Sequence, residues 1–453
     1  IEQKLPFLHF ADRSVDRGLT SAVYRSKLRV GCPAAKADAD ADADAANTAG
    51  TGTGTGAGTA DQTAASFEIS FEDHVRHGPV LVGDGLGAAA IDSRITASGD
   101  VPQALRDYLA RLAPDALHTR VGFDGAYRST WRLPAADLDI DSGRISWADS
   151  RMDMTGRFGA GVATSSWDLP SLSLVIGDAD DTSRLTLKGL RMTQRFDGTA
   201  NGVWLQAGTQ TTTIDRLEMA LPATDDSQPG PGQLTIDKIK LDQVTSLDGE
   251  FVSIQADANI DAMTWTAAQA DGAEAKPFKL ARVEQKESIR HLHGPTLERL
   301  ARQAISGVAA MCAGGDEVPT AQLLAGLQQL LLHGPTLSID KLAAEYEGRR
   351  GEISYHIAAP GITQADLDGP PLALLAKLVV KADADVPSAW IDTIAVNGSS
   401  GEPSMLTAGT AMVDQLVAQG MLRREDQRLK TSFVFEKGRA TANGKPIMPP
   451  RPM

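Results

Sequence analysis

The chain has 453 residues, of which 42% are hydrophobic, 23% are charged and only 5% are aromatic. This balance is typical of a globular protein with an aliphatic core, and the length allows two or three domains of ordinary size. The formal net charge is −14, so the chain lacks the basic surplus that a nucleic-acid backbone requires of its main partner. No stretch approaches the roughly 20 apolar residues that cross a bilayer as a helix.

The N-terminal region is predicted to contain strands separated by a low-complexity insertion. Residues Arg17–Cys32 and Ser66–Val75 alternate apolar and polar side chains, which indicates half-buried strands. Residues 34–66 between them are mostly Ala, Asp, Gly and Thr. We predict a flexible loop there, because so few large apolar side chains cannot offset the entropy of ordering the segment. The apolar spacing in Pro102–Pro114 predicts a short helix.

The middle of the chain, from about Leu117 to Thr266, predicts an almost all-β region. The clearest alternation runs from Val252 to Ala262, with Val, Ile and Ala on one parity and Ser, Gln, Asp and Asn on the other. Such strands bury one face and expose the other, as in antiparallel sheets. Asp-Gly pairs at Asp197–Gly198 and Asp248–Gly249 mark turns between strands.

The period changes in the C-terminal part of the chain. Apolar residues at helical spacing predict helices over Thr296–Cys312, Pro319–Leu332 and Gly409–Leu422, and alternating segments between them predict further strands. The chain should end in a hairpin with Asn443–Gly444 near its tip or end.

These elements predict an α+β fold, with a long antiparallel and mostly β sheet that can curve and a few amphipathic helices packed on it. We divide the chain into three regions. Residues 1–115 form a β/α region that contains the insertion at 34–66, residues 116–285 an antiparallel β-rich region, and residues 286–453 an α+β region with paired helices and a C-terminal hairpin.

A His-Gly-Pro tripeptide occurs three times, at His77–Pro79, His293–Pro295 and His333–Pro335. Glycine and proline favour a change of chain direction, so we interpret the tripeptide as a corner between elements. The repeat is compatible with an internal duplication. We expect the corners at His77 and His333 to superpose, and we interpret the copy at His293 as a chance match because a predicted helix follows it.

The histidines could also supply metal ligands, as the pairs His74 with His77 and His291 with His293. Neither pair lies in an HExxH motif or beside a cysteine. We therefore predict no metal site, no cofactor and no catalytic residues. The glycine-rich segment Gly83–Gly87 is expected to form a turn and not a phosphate loop. The two cysteines, Cys32 and Cys312, leave both a long-range disulfide and two separate thiols open.

Several segments taken in order resemble the YdgA-like family of bacterial envelope proteins of unknown function. They are an Arg-Gly-x-x-Ser strand, the first His-Gly-Pro corner, a leucine run into the His333 corner with its alternating strand, and a final Asn-Gly-Lys-Pro. The resemblance implies an N-terminal membrane anchor outside this chain, projection into the periplasm, and no established catalytic set. It also marks motif positions of unknown role: Arg17, Gly18, Ser21, His77, Gly78, Pro79, His333, Gly334 and Pro335.

The functional hypothesis is a non-enzymatic periplasmic or cell-envelope protein that binds a protein partner or a lipid. In the lipid version, the apolar face of long strands holds acyl chains, unless the helices at Thr296–Leu332 cover that face. One alternative is a self-assembling surface or adhesion protein, which includes a homo-oligomer. A second is a hydrolase with an unrecognised site. We expect no nucleic-acid partner, and membrane association only through the implied anchor.

Overall fold

In a computed structural model of the chain, the structure describes residues 8–31, 66–140, 143–159, 161–177, 182–199, 206–221, 232–266, 277–312, 320–390 and 403–447. The insertion predicted at 34–66 lies outside these ranges except for its last residue. Cys32 and the side chain of Cys312 lie outside them as well, so the disulfide stays an open prediction.

The described residues contain twenty-four strands. The first twelve are β1 (Leu8–Arg17), β2 (Ser21–Gly31), β3 (Ser66–His77), β4 (Val80–Leu81), β5 (Gly85–Leu86), β6 (Ala89–Gly99), β7 (Leu117–Val121), β8 (Ala126–Leu133), β9 (Ala136–Ile140), β10 (Gly143–Trp147), β11 (Ser150–Arg157) and β12 (Val162–Ile176). The others are β13 (Ser183–Thr199), β14 (Gln206–Ala220), β15 (Gln233–Asp248), β16 (Phe251–Thr266), β17 (Phe278–His293), β18 (Thr336–Tyr346), β19 (Arg349–Ala358), β20 (Val379–Pro387), β21 (Arg423–Glu425), β22 (Arg428–Glu436), β23 (Arg439–Ala442) and β24 (Lys445–Pro446).

Twenty-two of these strands form one antiparallel sheet, which confirms the predicted fold class. The sheet is a meander in which β1, β2, β3, β6, β7, β8 and β11 pair in turn, followed by β12 to β20 and then β22, β23 and β24. Strands β9 and β10 extend the lines of β8 and β11, and β10 pairs with the end of β12. The sheet is neither closed nor strongly curled. We call the end at which β1 finishes and β2 begins the tip end.

Six helices are described, and all four predicted helices are among them. They are α1 (Gln103–Ala110), α2 (Gly294–Cys312), α3 (Thr320–Leu331), α4 (Gln364–Leu367), α5 (Pro371–Lys377) and α6 (Pro403–Ala418). Helix α1 packs on β6 and β9, α2 packs on α3 and β17, and α4 packs on α5. Helix α6 begins at Pro403 where the sequence predicted Gly409, because its Thr-Ala-rich start lacks the apolar spacing used to place it. It ends at Ala418 where the sequence predicted Leu422, because Gly420 adopts a φ angle of 72° and the Met421 amide donates back to the Leu416 carbonyl at 2.9 Å.

A transverse row of residues crosses β12 to β17, the longest strands of the sheet. Its members are the positions at which the pairing of neighbouring strands is interrupted: Pro170, Gly189, Asp215, Lys238, Asp261 and Arg282. Gly189, Lys238 and Arg282 have positive φ angles of 65°, 55° and 48°. A left-handed residue inside a strand shifts the side-chain alternation by one step, as a bulge does. The apolar residues on both sides of the row are therefore brought to one face.

Ion pairs and the close contact between the Gly189 backbone and the Asp215 side chain stabilise the transverse row. The Lys238 ammonium lies 2.9 Å from the Asp215 carboxylate, and Arg282 forms an ion pair with Glu345 of β18. A Cβ at Gly189 would overlap the Asp215 carboxylate, so this position needs glycine for space as well as for its φ angle.

Candidate functional site

The motif positions Arg17, Gly18 and Ser21 form the turn between β1 and β2. The Gly18 amide donates to the Ser21 carbonyl at 2.7 Å, and the side chains of Arg17 and Ser21 are exposed. The turn is joined to the first His-Gly-Pro corner, because the His77 amide donates to the Thr20 carbonyl at 2.8 Å. Two motifs that are distant in sequence thus meet through backbone hydrogen bonds at the tip end of the sheet.

The first corner opens a compact loop, residues 78–88, that contains the small β4–β5 hairpin. Gly78 has a φ angle of 129°, and the Gly87 amide donates to the Pro79 carbonyl at 3.2 Å. A Cβ at Gly87 would lie 2.9 Å from the buried Leu81 side chain. The chain changes direction at Gly78, as the corner interpretation predicts, but the His77 side chain is exposed and not packed at the corner. The glycine-rich segment 83–87 forms the predicted turn.

A charged network under this loop was not anticipated from the sequence. The Arg76 guanidinium lies 2.8 Å from Asp84 and 3.1 Å from Asp92. The His118 ring lies between the same two carboxylates, with Nε2 3.0 Å from Asp84 and Nδ1 2.7 Å from Asp92. Both ring nitrogens of His118 are engaged, so the ring has no free nitrogen to act as a base. The network joins the loop to β3, β6 and β7.

His293 and His333, the histidines of the other two His-Gly-Pro tripeptides, lie against each other, a contact that was not expected from the sequence. The rings of His293 and His333 stack with their centroids 3.8 Å apart, and His291 stacks on Phe251 at 3.9 Å. His291 Nδ1 donates to the His333 carbonyl at 2.6 Å. Helix α2 follows His293, as predicted, and α3 returns the chain to the end of β17, where His333 meets His293. The interpretation of the His293 copy as a chance match stays a prediction.

The expected superposition of the His77 and His333 corners was wrong. Gly334 has a φ angle of 64°, against 129° at Gly78. The His333 and Gly334 amides donate to the Leu330 and Leu331 carbonyls, so the second corner caps a helix. Its Pro335 carbonyl accepts from the Ala359 amide at 3.3 Å. The first corner instead leaves a strand.

The environment of His333 disfavours its charged form. Burial lowers the pKa of His333, and the charges of the neighbouring His293 and His291 lower it further, while the charge of Glu250 has a smaller, opposite effect. His293 Nδ1 lies 2.8 Å from the Thr296 hydroxyl, and its Nε2 lies 3.5 Å from Glu250. Within the described part of the chain, no group of three or more His, Cys, Asp or Glu residues is arranged to hold a metal ion. The cluster is therefore an aromatic stack at the base of α2 and α3.

A wide, open cleft of about 780 Å³ lies on the polar side of β19, β20 and β22. Its charged residues are Arg350, Glu352, Asp383, Asp385, Arg423, Glu425, Arg428 and Lys430. Three of the four cations are paired with acids: Arg428 with Asp385 at 2.5 Å, Lys430 with Glu425 at 3.1 Å and Arg350 with Glu284 at 2.9 Å. The fourth, Arg423, donates to the Asn443 carbonyl at 3.1 Å. Ion pairing neutralises the cleft, which therefore offers little net charge to a charged ligand.

The most extensive feature is an apolar patch on β12 to β17, formed by three rows of side chains that cross the sheet. The first row is Leu174, Leu185, Met219, Leu234, Trp265 and Phe278; the second is Leu172, Leu187, Leu217, Ile236, Met263 and Leu280; the third is Leu169, Leu190, Ile214, Ile239, Ile260 and Val283. The third row lies on the far side of the transverse row. With strands about 4.8 Å apart, six strands make the patch roughly 24 Å wide.

The apolar patch is only half-covered. Every member is partly exposed except Leu169. Among the principal helix contacts of the described chain, α1 packs on β6 and β9, which lie outside the patch, and α2 packs on α3 and on β17, the last strand of the patch. Full burial of a Leu or Ile side chain stabilises a fold by about 1.5–3 kcal/mol, so the part of these side chains that stays exposed leaves some of that free energy unrealised. A large half-exposed apolar surface indicates a binding surface.

A polar ladder borders the patch on its tip-end side and on the same face. Ser165 lies opposite Gln194, which lies opposite Gln210, and Gln210 lies opposite Gln243. Ser165 donates to Gln194 at 3.2 Å, and Gln194 donates to Gln210 at 2.7 Å. The face is thus amphipathic along the strands, with aliphatic rows followed by amides.

Comparisons with known proteins identify a family but no function. A family model described as "Bacterial protein of unknown function (DUF945)" matches residues 3–450. No curated protein and no solved structure matches the chain. Within the described ranges, no helix has the length and hydropathy to cross a membrane.

Proposed function

Because the chain belongs to the bacterial family of unknown function DUF945, we propose a role that rests on its own surface: the apolar patch binds the acyl chains of a lipid. In this proposal the chain is a non-enzymatic, YdgA-like envelope protein in the periplasm. The half-exposed patch of three aliphatic rows on β12 to β17 is the observation that carries it.

The polar ladder favours an amphiphile over other apolar ligands. Acyl chains on the aliphatic rows would place a lipid headgroup near Gln194 and Gln210, whose amides offer both donors and acceptors. Ligand sites combine an apolar lining with a few polar groups that fix orientation. The two parts of this face have that composition.

The non-enzymatic part of the proposal is supported by the state of the histidines. His118 uses both ring nitrogens on carboxylates, and His293 and His333 stack on each other. A general base needs a ring nitrogen within reach of the substrate, and none of these three rings presents one on the apolar patch.

Native mass spectrometry of the protein, purified gently from a Gram-negative envelope fraction, tests the proposal. We expect a retained phospholipid mass that disappears in the Leu217→Gln, Ile236→Gln double variant. The matched control is Arg216→Gln, Asp237→Asn, which changes the neighbouring positions of the same strands on the opposite face. The control should keep the lipid.

Two outcomes contradict acyl-chain binding: a wild-type protein free of lipid, or equal lipid retention by both variants. A lipid-free protein in a defined oligomer would instead support self-assembly. Circular dichroism of both variants establishes that lipid loss does not come from unfolding.

A further inference from the structure

Large apolar side chains stand on successive turns and on the β4–β5 hairpin along the tip end of the sheet. They are Leu19, Val80, Val82, Leu86, Phe123 and Phe158, and we call them the tip row. Leu19 and Val82 are 104% and 83% exposed, and the others are each about two-thirds exposed. Single exposed apolar residues are ordinary on a protein surface, but a line of them at one end of a sheet is not.

The register places the whole tip row at one end. Arg17 pairs with Ala22, Ser21 with Arg76 and His77 with Ala89, so the turn at Leu19 and the loop at residues 78–88 are neighbours. The same end continues through the pairs of Ala89 with Val121, Val121 with Tyr127, and Tyr127 with Gly156. Phe123 and Phe158 lie in the turns just beyond these pairs.

Backbone hydrogen bonds join each turn to the next. The His77 amide donates to Thr20 at 2.8 Å, the Ala88 amide donates to Val121 at 2.9 Å, and the Phe158 amide donates to Gly125 at 3.0 Å. Leu81 is buried beneath Val80 and Val82 and anchors the loop. The tip row is therefore pre-formed, which reduces the entropy cost of binding.

The charges beside the tip row are arranged for an apolar and anionic partner. The turns that carry the tip row contain two carboxylates, and both form ion pairs. Asp84 pairs with Arg76 at 2.8 Å, and Asp124 pairs with Arg157 at 2.5 Å. Two further exposed arginines lie at the same level, Arg17 and Arg120, and Arg120 also donates to the Leu86 carbonyl at 2.6 Å. Because each carboxylate is paired with an arginine, its charge stays compensated when the turn approaches a medium of low dielectric constant.

We propose that the tip row docks on the surface of a phospholipid bilayer that contains anionic headgroups. The six side chains would enter the headgroup and acyl boundary while the arginines contact phosphates, as interfacial elements do. A fluid lipid phase can surround the single line of side chains in the tip row on both sides. A protein partner would instead need a long groove of matching shape. This inference does not depend on lipid binding by the apolar patch.

Vesicle flotation tests the docking proposal. Wild-type protein is mixed with vesicles of phosphatidylcholine alone or of phosphatidylcholine with phosphatidylglycerol, and the floated fraction is measured. We expect stronger binding to the anionic vesicles. We also expect a roughly tenfold or larger loss of partitioning for Leu19→Ser, Val82→Ser, Phe123→Ser, Phe158→Ser, because four apolar side chains leave the interface.

The control replaces four exposed apolar residues elsewhere: Val244, Leu324, Leu327 and Met412, each to Ser. It should float like the wild type. Absence of wild-type flotation with both vesicles, or an equal loss in the control, overturns the proposal. Native mass spectrometry of the tip variant separates the two proposals, since it should still retain any lipid on the apolar patch.

Discussion

The imidazole rings of His293 and His333 stack 3.8 Å apart, and this contact joins the two ends of the helical excursion, the segment that contains α2 and α3. His293 is the last residue of β17 and precedes the first residue of α2, while His333 follows α3 and precedes β18. The two helices pack mainly on each other. The histidine pair is thus the point at which the helical excursion leaves and rejoins the sheet.

This stack should make the stability of the protein sensitive to acid. The pKa of His333 is lowered in the folded state, so below the ordinary pKa of about 6.5 the unfolded chain takes up a proton that the folded chain resists. The stabilisation is therefore complete above about pH 7 and is lost as the pH falls toward the folded pKa. Urea unfolding at pH 7.5, 6.5 and 5.5 measures the loss.

The variant His333→Phe keeps an aromatic ring in the stack but removes the titrating group, so its acid dependence should be smaller than that of the wild type. His77→Phe is the matched control, because His77 belongs to the same tripeptide but is exposed. If the free energy of unfolding depends on pH in the same way for wild type and His333→Phe, the histidine stack does not contribute to the acid sensitivity.

A second prediction concerns Gly189 in the transverse row. Replacement by Val should destabilise the protein by about 1–3 kcal/mol, since a β-branched residue is strained at a φ angle of 65° and its Cβ would overlap Asp215. Gly189→Asn should cost less, because Asn tolerates the left-handed region. Thermal unfolding of the two variants gives the order, and equal losses would mean that the φ angle is not the constraint.

A third prediction contrasts two ion pairs near the tip end. Asp84→Asn weakens contacts to both Arg76 and His118 in a partly buried network, where loss of one charged partner costs about 1–3 kcal/mol. Asp124→Asn affects a pair whose side chains are both 55% exposed, and it should change stability by less than about 1 kcal/mol. Chemical denaturation of both variants tests this ranking, which a larger loss for Asp124→Asn would reverse.

Much of the fold follows from local pattern. The alternation from Val252 to Ala262 predicted the interior of β16, and the apolar spacing in Pro102–Pro114 predicted α1. Asp248–Gly249 forms the expected turn between β15 and β16, with Gly249 at a φ angle of 59°. These elements were predictable because period and turn residues act within a few positions of the chain.

The transverse row and the histidine stack were not predictable in this way. Lys238 and Arg282 adopt left-handed φ angles although their side chains disfavour them. They do so because the side-chain alternation of the neighbouring strands shifts at the same level of the sheet. Asp84, Asp92 and His118 meet only once β3, β6 and β7 are paired. Such features depend on register between strands, which a single sequence does not reveal. The three regions proposed from the sequence stay a prediction.

The last prediction separates a half-exposed binding face from an ordinary core, using two valines on neighbouring strands. Val252 of β16 is 1% exposed, whereas Val283 of β17 belongs to the apolar patch and is half-exposed. Val252→Ala should lower the free energy of unfolding by about 1.5–3 kcal/mol, because two buried methyl groups are lost and a cavity remains. Val283→Ala should cost less than about 1 kcal/mol, since its methyl groups still meet solvent in the folded state. Urea denaturation of lipid-free protein measures both. Equal losses would place the patch in the core and remove the basis for acyl-chain binding.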